Sequence, residues 1–364
     1  MIFEKISYRH FRNIENATVN FGDGINILYG NNAEGKTNAL EGIYLFAQGR
    51  SFRAGKEKEL IGFGEHSASL ELTFKDRERS HVLDIRYSEE YKKQCRRDGV
   101  DIRKMSEFIG YFRAVLFCPS HLSIVKDGPA VRRSFIDMAI SQIKPFYIIS
   151  LQNYNKILAQ RNALLKTEPM DKKGYYNTLE ILSAQLSREA SVIAEERREY
   201  IKELDVHVRD FFTDMTKERE KTKLLYKTQV QNSGDYQKEF FKMLTGDIEK
   251  ERTVGSTLYG IHKDDIMIFL NGHSAKSFAS QGQQRSIALA LKLAEGELSK
   301  QETGEYPVFL FDDILSELDI NRKKYLLSGL GNRQVIITAC EGDYFKDIEV
   351  ANRIYVEKGN YEAD

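Results

Sequence analysis

Apolar residues recur along this chain with two different periods. Short runs rich in β-branched and aromatic residues are typical of strands, and they occupy 2–8, 25–29, 68–74, 81–87, 115–117, 308–311 and 335–338. Apolar residues three or four positions apart are typical of amphipathic helices, which we predict at 39–47, 129–140, 146–166, 176–212, 281–301 and 321–330. Within 265–278, Asn271-Gly272 separates two apolar runs and predicts a hairpin with a type I′ turn.

The order of these elements predicts the fold class. Strands alternate with helices near both ends of the chain, whereas helices dominate the middle. Such an order favours layered α/β sheets. We therefore expect an α/β lobe built from residues 1–117 and 303–364, with a mainly helical second lobe, residues 118–302, inserted between them. The 364 residues, 41% of them hydrophobic, are enough for two lobes.

Charge and cysteine content limit the possible functions. The 54 basic residues balance 54 acidic ones, so any binding to nucleic acid must come from a local basic patch. The three cysteines form no CxxC pair, which favours neither a disulfide framework nor a zinc site. The first residues contain no apolar signal core, and no run approaches the roughly 18 apolar residues of a membrane span. We expect a soluble, cytoplasmic protein without a membrane partner.

A phosphate-binding loop, the P-loop, is predicted directly after the strand at 25–29. The pattern GxxxxGK[ST] is matched by Gly30, Asn31, Asn32, Ala33, Glu34, Gly35, Lys36 and Thr37. Glycines let the backbone present its N–H groups to phosphate oxygens. Lys36 supplies a cation for the β- and γ-phosphates, and the Thr37 hydroxyl suits magnesium. A buried strand before the loop and a helix after it argue against a chance match.

Two carboxylates end the apolar strand at 308–311. Asp312 fits the Walker B role of ordering magnesium, and Asp313 stands where a carboxylate would polarise the attacking water. Because Asp is one methylene shorter than the Glu of many P-loop relatives, we expect slow ATP hydrolysis. A strand that merely ends in a polar turn is the simpler alternative, and the P-loop makes it less favoured.

The segment 280–285 (SQGQQR), which we call the signature segment, opens a predicted helix. Ser280 and Gln283 match a capping box, S-x-x-Q, which is the structural explanation. Ser280, Gly282 and the helix N-terminus also make an anion site. The segment resembles the ABC signature LSGGQ, with Gln281 in place of the first Gly. Residues 316–319 (SELD) resemble the D-loop of the same superfamily.

The chain is similar to the RecF family along nearly its whole length. The stretches that carry the resemblance are 11–14 (FRNI), 49–53 (GRSFR), 122–137 (LSIVKDGPAVRRSFID), 154–166 (YNKILAQRNALLK), 280–285 and 312–319 (DDILSELD). The resemblance implies an ABC-type ATP-binding lobe and a helical lobe without the long coiled coil of SMC proteins. It also implies that ATP and magnesium are cofactors, with Arg12 and Asn13 as further nucleotide contacts.

The same resemblance implies a function in DNA repair and replication. Members act as ATP-driven dimers that recognise gapped DNA or junctions of single- and double-stranded DNA. They help to load RecA, with RecR as a partner and RecO as an indirect one. In the dimer, Ser280 and Gly282 of one copy would close over ATP held by the P-loop of the other. Another SMC-like role or a transporter ATPase remains the alternative, and a transporter would need a membrane subunit.

Some positions depart from the family pattern. Ser120 and His121 stand where acidic residues are usual, and Ala339 stands where a transporter often has His. No Gln occupies 115–122, so the residue that replaces this magnesium ligand stays unassigned.

Candidate DNA contacts are the least specific prediction. Arg132 and Arg133 lie inside a RecF-like stretch and are our choice, although a solvated charged face is the usual explanation for such a pair. For Arg197 and Arg198 we expect ion pairs with the preceding Glu195 and Glu196 on an exposed helix face.

Overall fold

The structure is a computed structural model that describes residues 1–168, 170–217, 219–230, 234–331, 333–340 and 349–363. Its strands are β1 (Ile2–Phe11), β2 (Ile14–Asn20), β3 (Ile25–Tyr29), β4 (Ser67–Lys75), β5 (Ser80–Ser88), β6 (Gln94–Arg97), β7 (Val100–Ile102), β8 (Ala114–Phe117), β9 (Thr222–Lys227), β10 (Asp265–Leu270), β11 (His273–Ser274), β12 (Val308–Phe311), β13 (Val335–Ala339), β14 (Asn352–Glu357) and β15 (Asn360–Ala363).

The helices follow in the same order. They are α1 (Lys36–Gln48), α2 (Met105–Phe108), α3 (Ser123–Lys126), α4 (Pro129–Ile143), α5 (Pro145–Leu165), α6 (Lys172–Thr216), α7 (Tyr236–Gly246), α8 (Ile248–Val254), α9 (Ala275–Phe278), α10 (Gln281–Thr303) and α11 (Ile320–Gly329). Short 3-10 helices occupy Glu57–Leu60, Pro119–Leu122 and Leu315–Glu317. Across the described residues, no helix combines the length and the apolar character that a bilayer span requires.

The chain divides into two compact units. The first contains Met1–Ser123, Asp210–Glu220 and Ser280–Asp364, and the second contains Ile124–Arg209 and Lys221–Ala279. The first is built on sheets and the second mainly on helices. The predicted α/β class with an inserted helical part is therefore confirmed.

Two six-stranded sheets form the first unit. One is antiparallel, in the order β2-β1-β4-β5-β6-β7, and the other has the order β15-β14-β3-β13-β12-β8. In the second sheet β14, β3, β13, β12 and β8 are parallel, and only β15 runs against its neighbour. The predicted antiparallel pairing of the strands at 68–74 and 81–87 is confirmed by β4 and β5. The parallel strands bring their carboxyl ends to one edge, where ligands bind in open α/β sheets.

Helix α1 packs against strands of both sheets and is buried along most of its length. Its Gly42 is required by a close approach, because a Cβ there would lie 2.4 Å from the Tyr8 ring of β1. The Tyr8 hydroxyl donates to Ala39 O at 2.8 Å. Contacts with the antiparallel sheet thus fix the position of the start of α1 and of the P-loop before it.

Helix α10 belongs to the first compact unit, which differs from the sequence-based boundaries. We expected residues 118–302, with the signature segment, to form the second lobe. Instead, Ser280–Asp364 groups with the P-loop strands. The reason is close packing on β12: a Cβ on Gly296 would lie 2.2 Å from Phe309 Cζ, so only glycine permits this approach.

The second unit combines the predicted long helices with a small sheet. Helices α4, α5 and α6 match the predictions at 129–140, 146–166 and 176–212 to within a few residues. The sheet has the order β11-β10-β9. Asn271 (φ 50°) and Gly272 (φ 83°) form the predicted turn. The second arm of the hairpin is shorter than expected, because β11 ends at Ser274 and α9 begins at Ala275.

Candidate functional site

The carboxyl ends of β3, β12 and β13 meet around one cavity. Their parallel registers place Tyr29 beside Ala339 and Phe311 beside Ile337, so the residues that follow each strand converge. The cavity has a volume of about 340 Å³, and we call it the P-loop cavity. Its lining residues are Asn13, Asn32, Ala33, Gly35, Lys36, Thr37, Asn38, Arg53, Asp313, Thr338 and Cys340.

The P-loop backbone has the strained conformation that its glycines predict. Gly30 and Gly35 have φ angles of 143° and 121°, which L-residues with side chains rarely adopt. A Cβ on Gly30 would also lie 2.3 Å from Val356 O, so the loop passes directly over β14. No side chain caps the N-terminus of α1. Its first N–H groups and its dipole thus face an anion site.

Lys36 is buried and turned onto the loop itself. Its Nζ donates to Gly30 O at 2.6 Å and to Asn31 O at 2.5 Å. Burial lowers the pKa of Lys36, and the acidic neighbours Cys340 and Asp313 counteract that shift. An anion in the cavity would compete with the two carbonyls for this ammonium group and would favour its charged form.

Thr37 and Asp312 are brought into direct contact across 275 residues of sequence. Thr37 Oγ1 donates to Asp312 Oδ1 at 2.8 Å, and Thr338 Oγ1 donates to the same atom at 3.0 Å. Burial raises the pKa of the Asp312 carboxyl, although both hydroxyls and Arg53 act in the opposite direction. Hydroxyl and carboxylate oxygens are the donors that magnesium takes, so this pair fits the predicted metal site.

Asp313 differs from its neighbour in exposure. It is exposed and lines the P-loop cavity. Its φ of 49° lies in the left-handed region, and its N–H donates to Thr338 Oγ1 at 2.9 Å. The turn therefore directs one carboxylate into the protein and the next into the cavity, as two separate roles would require.

Arg12 and Asn13 occupy different places. Asn13 lines the P-loop cavity, and its Oδ1 accepts from Asn38 Nδ2 at 2.7 Å. Arg12 is not among the lining residues, because its guanidinium makes two hydrogen bonds, at 2.9 and 2.8 Å, to the buried Glu41 of α1. The structure thus ties Arg12 to the helix behind the P-loop. Arg53, which lies in the RecF-like stretch 49–53, was expected near the nucleotide or the dimer interface. It lines the P-loop cavity and donates to Asn38 Oδ1 at 2.9 Å.

The signature segment lies at the start of α10, where its first two residues are exposed and the next four are half-buried. Ser280 is exposed and forms the predicted capping box with Gln283, with bonds of 2.7 and 3.3 Å. Gln283 Nε2 also donates to Glu220. Within the described residues, the lining of the P-loop cavity includes neither Ser280 nor Gly282. One chain therefore does not bring its own signature segment into its own cavity.

The C-terminal hairpin also contributes to the site, and no pattern in the sequence indicated this. Strands β14 and β15 pair antiparallel around Lys358 (φ 48°) and Gly359 (φ 78°). Gly359 N donates to Glu34 O at 2.8 Å, and Tyr361 Oη donates to Gly35 O at 3.0 Å. The turn pair Lys358-Gly359 was the available sequence signal for the hairpin itself. Its contact with the P-loop could not be inferred, because more than 320 residues separate the partners.

The predicted DNA contacts are placed less favourably. Arg132 is buried in the second unit, where Asp265 accepts two of its hydrogen bonds, at 2.7 and 3.0 Å. This placement argues against a direct phosphate contact by Arg132. Arg133 is half-buried and donates to Asp264 O at 2.7 Å.

The exposed position expected for Arg197 is wrong. Arg197 is buried, because it is bound by Asp137, 60 residues away. Arg198 does pair with Glu195, at 2.5 Å.

Comparisons with known proteins agree with this geometry. The family model described as RecF/RecN/SMC N terminal domain matches residues 2–362. A protein of Clostridium novyi (strain NT), named DNA replication and repair protein RecF, is 38% identical over 93% of this chain and 92% of its own length. A solved structure of the recombination mediator protein RecF with ATP in the RecFOR pathway superposes with a TM-score of 0.92. It is 32% identical, and the match covers 100% of this chain and 97% of that one.

A more distant likeness concerns the fold alone. A solved SMC head, bound to the C-terminal winged-helix domain of ScpA, has a TM-score of 0.59 at 15% identity, over 100% of this chain and 97% of that one. The fold is thus that of SMC heads. The matched family model and the full-length identity to RecF proteins place the chain, by sequence, in the RecF family of DNA replication and repair proteins.

Proposed function

We propose that this chain binds ATP in the P-loop cavity and that the first compact unit is its ATP-binding lobe. The uncapped N-terminus of α1, the positive-φ glycines and the buried Lys36 together fit a chain of phosphates. The RecF structure solved with ATP, 32% identical to this chain, supports the same ligand here.

Magnesium would be held by Thr37 and Asp312. The observation that carries this proposal is the 2.8 Å hydrogen bond between the two side chains, since it places two oxygen donors beside the P-loop. When bound, the ion would neutralise charge on the β- and γ-phosphates. Asp313 is exposed to the cavity and would orient water there. The short reach of its carboxylate supports slow hydrolysis.

The active form would be a homodimer with two shared sites. Ser280 is exposed, and Gly282 and Gln283 are half-buried, at a helix N-terminus outside their own chain's cavity. They are therefore available to the γ-phosphate in a second copy, as anion sites at helix N-termini are. A ligand held by both copies stabilises the closed dimer by its affinity for that state. Loss of the γ-phosphate contacts would then release the dimer.

The dimer would act on DNA in recombinational repair. We propose that it recognises gaps or single-strand to double-strand junctions and helps to load the RecA recombinase, with RecR as a partner and RecO as an indirect one. Its family membership supports a role in DNA replication and repair, and the RecFOR pathway named for its solved relative supports these partners.

Nucleotide-dependent dimerisation tests the proposal. Sedimentation velocity should show a monomer without nucleotide and a dimer with ATP and magnesium. Lys36→Ala should stay monomeric in both conditions, because it lacks the cation of the P-loop. A wild-type chain that remains monomeric with saturating ATP, measured by equilibrium binding, would contradict the dimer model.

The DNA preference needs a separate measurement. Fluorescence anisotropy with gapped duplex, plain duplex and single-stranded DNA should show tightest binding to the gapped form with ATP. With ADP, or with Lys36→Ala, that preference should be lost. Equal affinity for all three DNAs in every nucleotide state would refute junction recognition.

A further inference from the structure

A second concave surface lies inside the helical unit, between helix α6 and strand β9. Its volume is about 790 Å³. We call it the α6–β9 groove. The residues that line it include Ile201, Lys202, Lys223, Leu224, Leu225, Lys227 and Met267. It belongs wholly to the second compact unit and shares no residue with the P-loop cavity.

The groove has an apolar floor and a basic rim. Ile201 and Leu224 are buried at its base, and Leu225 is 44% exposed within it. Leu225 lies opposite the half-buried Met267 of β10, which also lines the groove, and contiguous exposed apolar surface is typical of interaction sites. The floor can therefore take up apolar side chains from a partner.

Three lysines at the rim are not neutralised. Lys202, Lys223 and Lys227 are exposed, and none makes an ion pair with the described residues. The acidic side chain in the groove, Asp205, is already engaged. It accepts from Leu224 N at 2.6 Å and lies 3.7 Å from Arg209. The rim therefore presents uncompensated positive charge, which attracts acidic partners.

Strand addition at this position is obstructed. Strand β9 is the edge of the sheet β11-β10-β9, and exposed edges commonly take up an extended peptide through main-chain hydrogen bonds. Here the Leu224 N–H, in the middle of the edge, is occupied by the Asp205 carboxylate. A partner must therefore bind through its side chains, as an amphipathic helix does in a groove.

We propose that the α6–β9 groove is a docking site for an acidic amphipathic helix of a partner protein. Apolar residues of that helix would pack on Leu225 and Met267, and its flanking carboxylates would meet the three rim lysines. Strand β9 extends over roughly 20 Å, which matches a helix of about 13 residues. A phosphate backbone would use the rim alone and leave the aliphatic floor without a partner, so a peptide fits better than nucleic acid.

A peptide selection on the full chain tests this proposal. A display library of helical peptides about 13 residues long is selected on the wild-type chain. Each enriched peptide is then measured by anisotropy on the groove variant Lys223→Glu with Lys227→Glu. The matched control is Lys156→Glu with Lys250→Glu, which reverses two exposed lysines of the same unit outside the groove. Melting curves confirm that each variant is folded.

We expect the enriched peptides to share a sequence pattern and to bind at the groove. Enriched peptides carry Asp or Glu beside an apolar stripe, bind the wild type and the control equally, and bind the groove variant at least about tenfold more weakly. Leu225→Ala weakens the same peptides without a change in charge. The proposal is overturned if no enriched peptide depends on the groove, or if enriched peptides lack acidic residues. It is also overturned if the groove variant weakens only the binding of a labelled oligo(dT).

Discussion

Two adjacent carboxylates at the end of β12 have different environments, because one is buried and the other is exposed. Asp312 is buried and its pKa is raised by desolvation, despite hydrogen bonds from Thr37 and Thr338. Asp313 is exposed to the P-loop cavity. Functional sites commonly keep such an unfavourable buried charge because ligand binding requires it.

Asp312→Asn should therefore stabilise the ligand-free chain at neutral pH. The folded chain binds the Asp312 proton more tightly than the unfolded chain, whose pKa is about 3.9. The free energy of unfolding thus falls as pH rises through the raised folded pKa, and it remains lowered at pH 7. In the variant that loss is absent, because the amide of Asn does not ionise, and Asn Oδ1 still accepts from both threonines. Thermal melting should show a higher midpoint at pH 7 and a smaller difference below about pH 4.

The same variant should lose hydrolysis. We expect a fall of about 100-fold or more in magnesium-dependent ATP turnover, because the carboxylate proposed to hold the metal is gone. Asp313→Asn is the matched control, since it makes the same change at an exposed neighbour and should leave the melting midpoint unchanged while slowing turnover. A melting midpoint for Asp312→Asn at or below that of the wild type would show that the buried charge of Asp312 does not destabilise the folded chain.

The residues of the site were predictable from sequence to different degrees. The P-loop, Asp312 and the capping box at Ser280 depend on local spacing, and local spacing is visible in the sequence. The position of Arg197 was not predictable, because its neighbours Glu195 and Glu196 indicate an exposed helix face. Its partner Asp137 lies on α4. Tertiary contacts decide burial for a polar side chain, and no local pattern records them.

At the scale of elements, helix α6 is fastened to α4 by one buried guanidinium. Arg197 donates to Asp137 at 3.0 and 2.9 Å, to Ile261 O at 2.8 Å and to the Tyr147 hydroxyl at 3.1 Å. Asp137 counteracts the burial of this group and holds the pKa of Arg197 well above its usual value. The guanidinium is thus charged and satisfied inside the second unit.

Arg197→Ala should destabilise the second unit by about 3–5 kcal/mol, because it removes the charged partner of Asp137, which then keeps the Tyr147 hydroxyl. Arg198→Ala provides the control. The two residues are adjacent, but Arg198 forms an exposed pair with Glu195, so its loss should change the free energy of unfolding by less than about 1 kcal/mol. Urea unfolding followed by circular dichroism compares them. Equal effects of both variants would contradict the structural role given to Arg197.

The C-terminal hairpin, β14 with β15, supports the P-loop from outside. Tyr361 donates to Gly35 O, the carbonyl directly before Lys36. Tyr361→Phe removes that hydrogen bond and leaves the partly buried carbonyl oxygen of Gly35 without this donor. We expect ATP affinity to fall about fivefold to tenfold, since one such hydrogen bond contributes about 1 kcal/mol.

Tyr355→Phe is the control on the same hairpin. The Tyr355 ring packs on Tyr29, 5.4 Å between centroids, and this contact does not need the hydroxyl. Isothermal titration with ATP should therefore distinguish the two variants. An unchanged dissociation constant for ATP in Tyr361→Phe would mean that the hairpin does not affect nucleotide binding by the P-loop.

At the scale of the whole molecule, the signature segment is the part that the proposed dimer would bring to the P-loop of a second copy. It is linked to the D-loop, residues 316–319, within its own unit. Arg285 donates to Glu317 at 2.5 Å, and Arg322 donates to Ser286 at 2.6 Å and to Asp319. The signature segment and the D-loop are thus joined by side-chain contacts, and in the proposed dimer both would face a second copy. Two-fold symmetry would then create two equal sites from two P-loops and two signature segments.

This arrangement predicts complementation between two inactive chains. Lys36→Ala removes the P-loop cation but keeps Ser280, whereas Ser280→Arg blocks the signature segment but keeps the P-loop. Each variant alone should show no dimer-dependent ATP turnover. In a mixed dimer, one site combines the intact P-loop of one chain with the intact signature segment of the other. Each mixed dimer has one complete site of two. An equal mixture should therefore recover about a quarter of wild-type turnover if the chains pair at random, and at most about half if neither variant pairs with itself.

The magnitude of recovery distinguishes two arrangements. If each chain built its site alone, no mixture of the two variants would restore any turnover, since every chain would still carry a defect. A mixture of Lys36→Ala with Asp312→Asn serves as the control, because both changes lie in the same P-loop cavity region and no exchange of signature segments can rescue them. Recovered ATP turnover in the first mixture and no turnover in the second would locate each ATP between two copies. This follows because only a site divided between chains can be completed by a partner.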